Sequence, residues 1–217
     1  MSEKKKFAAS FSTGKDSSLA LYKAIKAGME PVGLLTTYNI SAEKAWFHGV
    51  PEEVLGRLSE ALGIPIYLVK TDGSDYEEKF EEGLRHFKEL GAEYCVFGDI
   101  DLEAHLEWDK ARCEAAGLSG CFPLWQMDRK KAVEEFLAAG FTARITTVNT
   151  KYMDTSYLGE ALSADLLARL ENEGVDVCGE NGEYHTLVVD GPLFKKAFSY
   201  EVGNVILDHG YGKLPVK

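Results

Sequence analysis

Short apolar runs alternate with stretches whose apolar residues recur at helical spacing, from the start of the chain to about residue 140. Residues 5–12, KKFAASFS, predict a first strand, and residues 16–27 a helix ended by Gly28. PVGLLTTY, 31–38, predicts the second strand. Pro51 suits a first helical position, and Val54, Leu55, Leu58, Ala61 and Leu62 follow at helical spacing until Gly63. IPIYLVK, 64–70, predicts the third strand. Residues 74–90 predict an acidic helix with Tyr76, Phe80, Leu84 and Phe87 on one face, ended by Gly91. That aromatic stripe, with Met29 and Trp125, is assigned to the core. EYCVFG, 93–98, predicts the fourth strand, and 103–116 a helix closed by Gly117. A short GCFPLW segment and a helix at about 128–139, ended by Gly140, complete the series.

Repeated strand–helix order predicts an α/β fold, a doubly wound parallel sheet covered by helices on both faces. Strands with little polar alternation suit such a sheet. After Gly140 the texture changes. TARITTVNT is rich in β-branched residues, a helix is predicted at about 160–172, and EYHTLVVDG and AFSYEVGNVILDH read as strands. The expectation is one domain over 1–139 and a smaller C-terminal α+β lobe over 140–217, sharing an interface because no low-complexity linker separates them.

The net charge of −11 disfavours generic nucleic-acid binding, which needs a positive field. No apolar run approaches the length of a membrane span, and the polar N-terminus does not read as a signal peptide. Cys95, Cys113, Cys121 and Cys178 show no two-residue gap of a redox or zinc pair, so reduced thiols in a cytoplasmic protein are expected.

The candidate chemistry begins at FSTGKDSSLAL, residues 11–21, the turn after the first strand, where an open parallel sheet binds ligands. A helix N-terminus there offers unpaired amides and a positive dipole end. Walker A spacing fails, because Ala9 stands where its first glycine belongs and Asp16 follows Lys15; a dinucleotide fingerprint fails because only Gly14 is present. Gly14 allows close approach, Ser12, Thr13 and Ser17 offer hydroxyls, and Lys15 supplies a charge. Asp16 makes sense beside a phosphate when Mg2+ lies between them. A plain helix cap by Ser12 or Asp16 is the alternative.

STGKDS resembles the Ser-Gly-Gly-x-Asp-Ser pyrophosphate loop of the N-type ATP pyrophosphatases, with Thr13 in place of the first glycine. GENGEYHTLVVDGP, 179–192, resembles the glycine-rich signature of the diphthine–ammonia ligase family, as do FHG at 47–49, GIPIYLV, VFGDI and FPLWQMDR. The likeness covers nearly the whole chain. It implies an ATP-dependent ligase using ATP and Mg2+: a substrate carboxylate is adenylated with release of pyrophosphate, and ammonia then displaces AMP. If the acceptor is diphthine, it belongs to a modified histidine on a translation elongation factor. DLEAHLEWDKARCE, 101–114, departs from the hydroxyl- and base-rich segment of diphthine ligases, which leaves the acceptor open.

With that resemblance, Lys15, Asp16 and Glu183 are the catalytic candidates, Asp16 also the metal ligand. Ser12, Thr13, Gly14, Ser17, Tyr38, His48, Gly98 and Asp99 are nucleotide candidates; His105, Trp108, Glu180, Tyr184 and Thr186 are substrate candidates. Without it, ENGE reads as a hairpin turn joining two strands, and His105, Trp108 and Arg112 as one face of an interface helix. A tRNA sulfur-transfer enzyme would show paired catalytic cysteines and a basic surface. A non-catalytic nucleotide sensor would need no second lobe of this kind. A homodimer stays open.

Overall fold

The computed structural model describes residues 4–217, so the first three residues of the polar N-terminus lie outside it. Its larger sheet contains the parallel strands β1 (Lys6–Ser10), β2 (Glu30–Asn39), β4 (Ile66–Thr71), β5 (Tyr94–Val96) and β6 (Ser119–Cys121). Their order is β4-β2-β1-β5-β6. The chain winds outward from β1 through β2 to β4, then returns to β1's other side for β5 and β6. The switch of direction opens a crevice at the carboxyl ends of β1 and β5.

The intervening helices are α1 (Lys15–Lys26), α2 (Glu52–Leu62), α3 (Tyr76–Glu89), α4 (Glu103–Ala116) and α5 (Arg129–Ala138). Their bounds match the expected spans to within two residues. The stops at Gly63 and Gly117 are left-handed residues that satisfy the last helical carbonyls. β2 runs four residues past the end of β1, and there a two-residue antiparallel strand, β3 (Lys44–Ala45), pairs with Tyr38 and Asn39. No sequence period announced this strand, because two residues carry none.

The second sheet is antiparallel, in the order β8-β7-β10-β9, with β7 (Thr142–Asn149), β8 (Tyr184–Asp190), β9 (Ile206–Asp208) and β10 (Tyr211–Lys213). Helix α6 (Ala164–Asn172) starts four residues later than expected. Ala161 bridges to Arg144 and Leu162 donates to the Ala143 carbonyl, so the sheet edge takes those residues; Ser163 then caps the helix through Leu166 N–H. The strand expected over 197–209 shrinks to β9 and one bridge at Val202. Val202, Val205 and Leu207 remain exposed, having no facing layer to bury them. ENGE is not a hairpin either; it ends the loop between α6 and β8.

One apolar cluster runs across both sheets, joining Phe7 and Leu19 to Phe136, Ile145, Leu167 and Tyr184. β8 also reaches the loop that follows β1: Val188 N–H donates to the Thr13 carbonyl at 3.0 Å. No helix among the described residues is long and apolar enough to cross a membrane.

Candidate functional site

A cavity of about 580 Å³ occupies the crevice at the strand ends. Of the residues expected from the sequence, Ser12, Asp16, Ser17, Gly98, Asp99, His105, Trp108 and Glu180 line it. Helix α1 begins at Lys15 after Gly14, which has no side chain to cap it, and the amides of Asp16 and Ser17 are left as donors at the cavity floor. The Ser12 and Ser17 hydroxyls lie 3.2 Å apart beside them. A Cβ at Gly98 would come within 2.7 Å of Ser17 N and 2.8 Å of Asp16 C, so only glycine lets β5 pass this close to the loop.

A second set of expected residues holds the loop from behind. Lys15 N–H donates to Thr186 Oγ1 at 3.1 Å. His48 Nδ1 donates to the Thr186 carbonyl at 2.7 Å, and its ring covers Gly14, where a Cβ would lie 2.5 Å from Cε1. Burial drives the His48 imidazole down to about 3, helped by His185 and Lys15, so it is neutral. The Lys15 ammonium is buried over the Tyr184 ring and paired with Asp16 Oδ2 at 2.7 Å. Burial works against that charge, yet Asp16 and its neighbours hold it well above its ordinary value. Tyr184 is fixed by its own bond to the Val177 carbonyl.

Three expectations fail in position. Thr13 adopts a left-handed backbone (φ 74°), and its buried hydroxyl has no partner instead of facing the cavity. Tyr38 points into the cluster beneath α2 with Val54 and Leu55, since alternation along β2 turns Thr37 to the cavity instead. Glu183 is buried and spends both carboxylate oxygens on Asn181, closing the Gly179–Gly182 turn. The carboxylate that enters the cavity is Glu180, three residues earlier.

Asp16, Cys178 and Glu180 each present a ligand atom within 4.8 Å of the others. Burial, with Asp16 next, pushes Glu180 up to about 7, and burial also raises the Cys178 thiol. Two carboxylates beside helix amides fit a hard cation that completes its shell with phosphate oxygens and water; a protonated thiol does not add to that set. Arg129 anchors the Glu180 loop by a bidentate pair with Asp101 (2.7 and 2.9 Å) and bonds to Asp176 and Asn181.

The rest of the cavity is aromatic: Trp46, Tyr76, Phe80, Phe97 and Trp108, with Phe47 at its rim. Tyr76 and Phe80, assigned to the core, thus have one side in the site. Asp109, on the inward face of α4, was missed. Its signal was present, a carboxyl at the helical spacing of Leu106, Cys113 and Ala116. Burial and then Asp99 push it up to about 9.

An open α/β sheet with free first-turn amides at Asp16 and Ser17, hydroxyls and two carboxylates at its switch point is an arrangement suited to a phosphate-bearing ligand. The comparisons then fix the family. The model of the diphthamide synthase N-terminal domain matches residues 5–120, and that of the C-terminal domain residues 128–214. The chain belongs to the diphthamide synthase family. It is 27% identical over 225 residues to the diphthine–ammonia ligase of Schizosaccharomyces pombe, covering 94% of this chain but only 37% of that protein. It is 26% identical over 230 residues to that of Danio rerio, covering 94% and 90%. A solved structure from Methanocaldococcus jannaschii, described as a predicted subunit of tRNA methyltransferase, aligns at 16% identity and a TM-score of 0.47 over 88% of this chain and 98% of that one, too distant to bear on fold or function.

Proposed function

We propose that this chain is an ATP-dependent ligase that activates a substrate carboxylate as an acyl-adenylate and passes the acyl group to ammonia. The observation that carries the reading is the start of α1, where the Asp16 and Ser17 amides meet the cavity, with the Ser12 and Ser17 hydroxyls beside them and Asp16 and Glu180 facing one cavity. The family and the names of its relatives support the same chemistry.

The first-turn amides and the Ser12 and Ser17 hydroxyls receive the β- and γ-phosphates. Lys15 neutralises charge from behind, through Asp16 and the loop. Asp16 and Glu180 would hold Mg2+, which screens phosphate charge when bound. A carboxylate oxygen of the acceptor attacks the α-phosphorus, and the bond to the bridging oxygen breaks as pyrophosphate leaves. The ammonia nitrogen then forms the amide bond at the acyl carbon, AMP leaves with the bonding pair, and the surplus proton of the nitrogen passes to water. No side chain becomes covalently attached; the protein positions groups and neutralises charge. The acceptor carries the carboxylate, and a diphthine-bearing elongation factor is the first acceptor to test. The part of the wall at His105 and Trp108 is where a different acceptor would be read.

The test measures AMP, pyrophosphate and amide from Mg-ATP and ammonium, with and without diphthine-bearing elongation factor. Acceptor-dependent AMP with amide supports the reading, and Asp16→Ala then abolishes it in a folded protein. Unchanged turnover in Asp16→Ala would remove the loop from the mechanism. ATP binding without turnover on this factor would point to another acceptor.

A further inference from the structure

The cavity wall carries a pair of carboxyl groups for which the reaction above assigns no task. Asp99 follows Gly98 past the end of β5, and Asp109 stands on α4; both line the cavity. Asp109 is buried, and its carboxyl lies within hydrogen-bond reach of Asp99. One turn earlier on the same helix, His105 Nδ1 lies 3.1 Å from Asp99 Oδ1. Two carboxylates this close do not both stay ionised, and the more buried one keeps the proton. A neutral Asp109 therefore donates, and Asp99 remains a charged acceptor held by two groups of α4, with lone pairs to spare.

The connectivity of the wall gives Asp99 a task. Its chain neighbour Gly98 packs on the loop backbone at Asp16 and Ser17, where phosphates are expected. Its partner Asp109 adjoins the aromatic wall, next to Trp108 in the chain and close to Tyr76. A nucleoside triphosphate laid from loop to rings puts its sugar between them. We propose that Asp99 accepts hydrogen bonds from the sugar hydroxyls of the bound nucleotide, and that Asp109 is a positioning residue that holds Asp99 by donating to it. The inference rests on the nucleotide reading of the cavity and adds the part that recognises ribose.

The groups facing Asp109 are Asp99, with His105 behind it, Tyr76 from α3, Cys95 from β5 and Cys113 on α4. Burial raises Tyr76 and Cys95, so neither ionises ahead of Asp109. Asp109 itself titrates at about 9. Above that point its bond to Asp99 turns into repulsion.

The experiment is calorimetric binding of Mg-ATP and of Mg-2′,3′-dideoxy-ATP to the full chain at pH 7 and near pH 10. The wild type should bind ATP roughly tenfold more weakly at the higher pH and prefer ATP to the dideoxy analogue roughly tenfold at pH 7, the worth of one hydrogen bond to a charged group. Asp109→Asn, whose amide donates at every pH, should keep the preference and bind ATP about tenfold more tightly than the wild type near pH 10, while Glu180, raised to about 7, titrates alike in both and drops out of that comparison. Asp109→Leu should lose the preference at both. The same change in ATP binding from pH 7 to 10 in wild type and Asp109→Asn, or indifference to the sugar hydroxyls, overturns this inference alone. A wild type that binds neither nucleotide overturns the nucleotide reading and this inference with it. Circular dichroism separates a misfolded Leu variant, and the Asn variant decides the question without it.

Discussion

Thr13 concentrates a cost in the middle of the loop. A β-branched residue at φ 74° costs about 1–2 kcal/mol against the right-handed region, and its buried hydroxyl has no partner. Glycine has no Cβ to clash there, which is the physical reason the resembling loops carry one at this point. Thr13→Gly should stabilise the protein by about 1 kcal/mol after the entropy of the freer unfolded chain is subtracted, read as a higher urea midpoint with an unchanged slope. A lower midpoint would mean that the methyl's packing outweighs the strain. The sequence exposed this position as a departure, but the sign of φ belongs to the backbone and was not legible. Asp16, Ser17 and Gly98 were legible because a loop after a parallel strand has one place to face. Tyr38 and Glu183 were not: the first depends on which face of β2 looks up, the second on a turn that turns Glu180 inward instead.

At the scale of elements, helices declared themselves through glycine stops and apolar spacing, and their bounds held. The weakly patterned segments did not, since the extent of 197–209 and the start of α6 were set by which sheet edge remained open. The contact of greatest consequence is that of β5 with α1 at Gly98. A methyl there meets backbone atoms at 2.7 and 2.8 Å, and backbone cannot rotate aside as a side chain can. Gly98→Ala should cost about 2 kcal/mol and move the first turn of α1, so that ATP binding falls by more than the stability change implies. Gly14→Ala is the control. It meets only the end of the His48 ring, which can swing away, so its loss should be smaller and should vanish when combined with His48→Ala. Equal losses in Gly98→Ala and Gly14→Ala would remove the distinction between a rigid and a yielding neighbour.

At the scale of the whole molecule, two buried groups tilt stability in opposite directions with pH. His48 titrates at about 3 in the folded chain against 6.5 when free. As pH falls below 6.5 the unfolded chain takes up the proton first, so folding loses free energy down to about pH 3. Asp109 titrates at about 9 against 3.8 when free. There the folded chain holds a proton that the unfolded chain has released, so folding loses free energy as pH rises from about 4 to 9. Other shifted groups, Glu180 and His185 among them, are common to wild type and variants and cancel in a difference. His48→Gln, whose amide N–H can still donate to the Thr186 carbonyl, should therefore gain about 2 kcal/mol relative to wild type as pH drops from 7 to 4.5. Asp109→Asn should gain on wild type in the opposite direction, by about 3 kcal/mol between pH 4.5 and 7, and nothing more above 9. Denaturant titrations of the three proteins across that range test both slopes at once. Difference curves of the same sign would mean that one of the two groups is solvated in the folded chain, and a flat curve for Asp109→Asn would remove the proton from the Asp99–Asp109 pair.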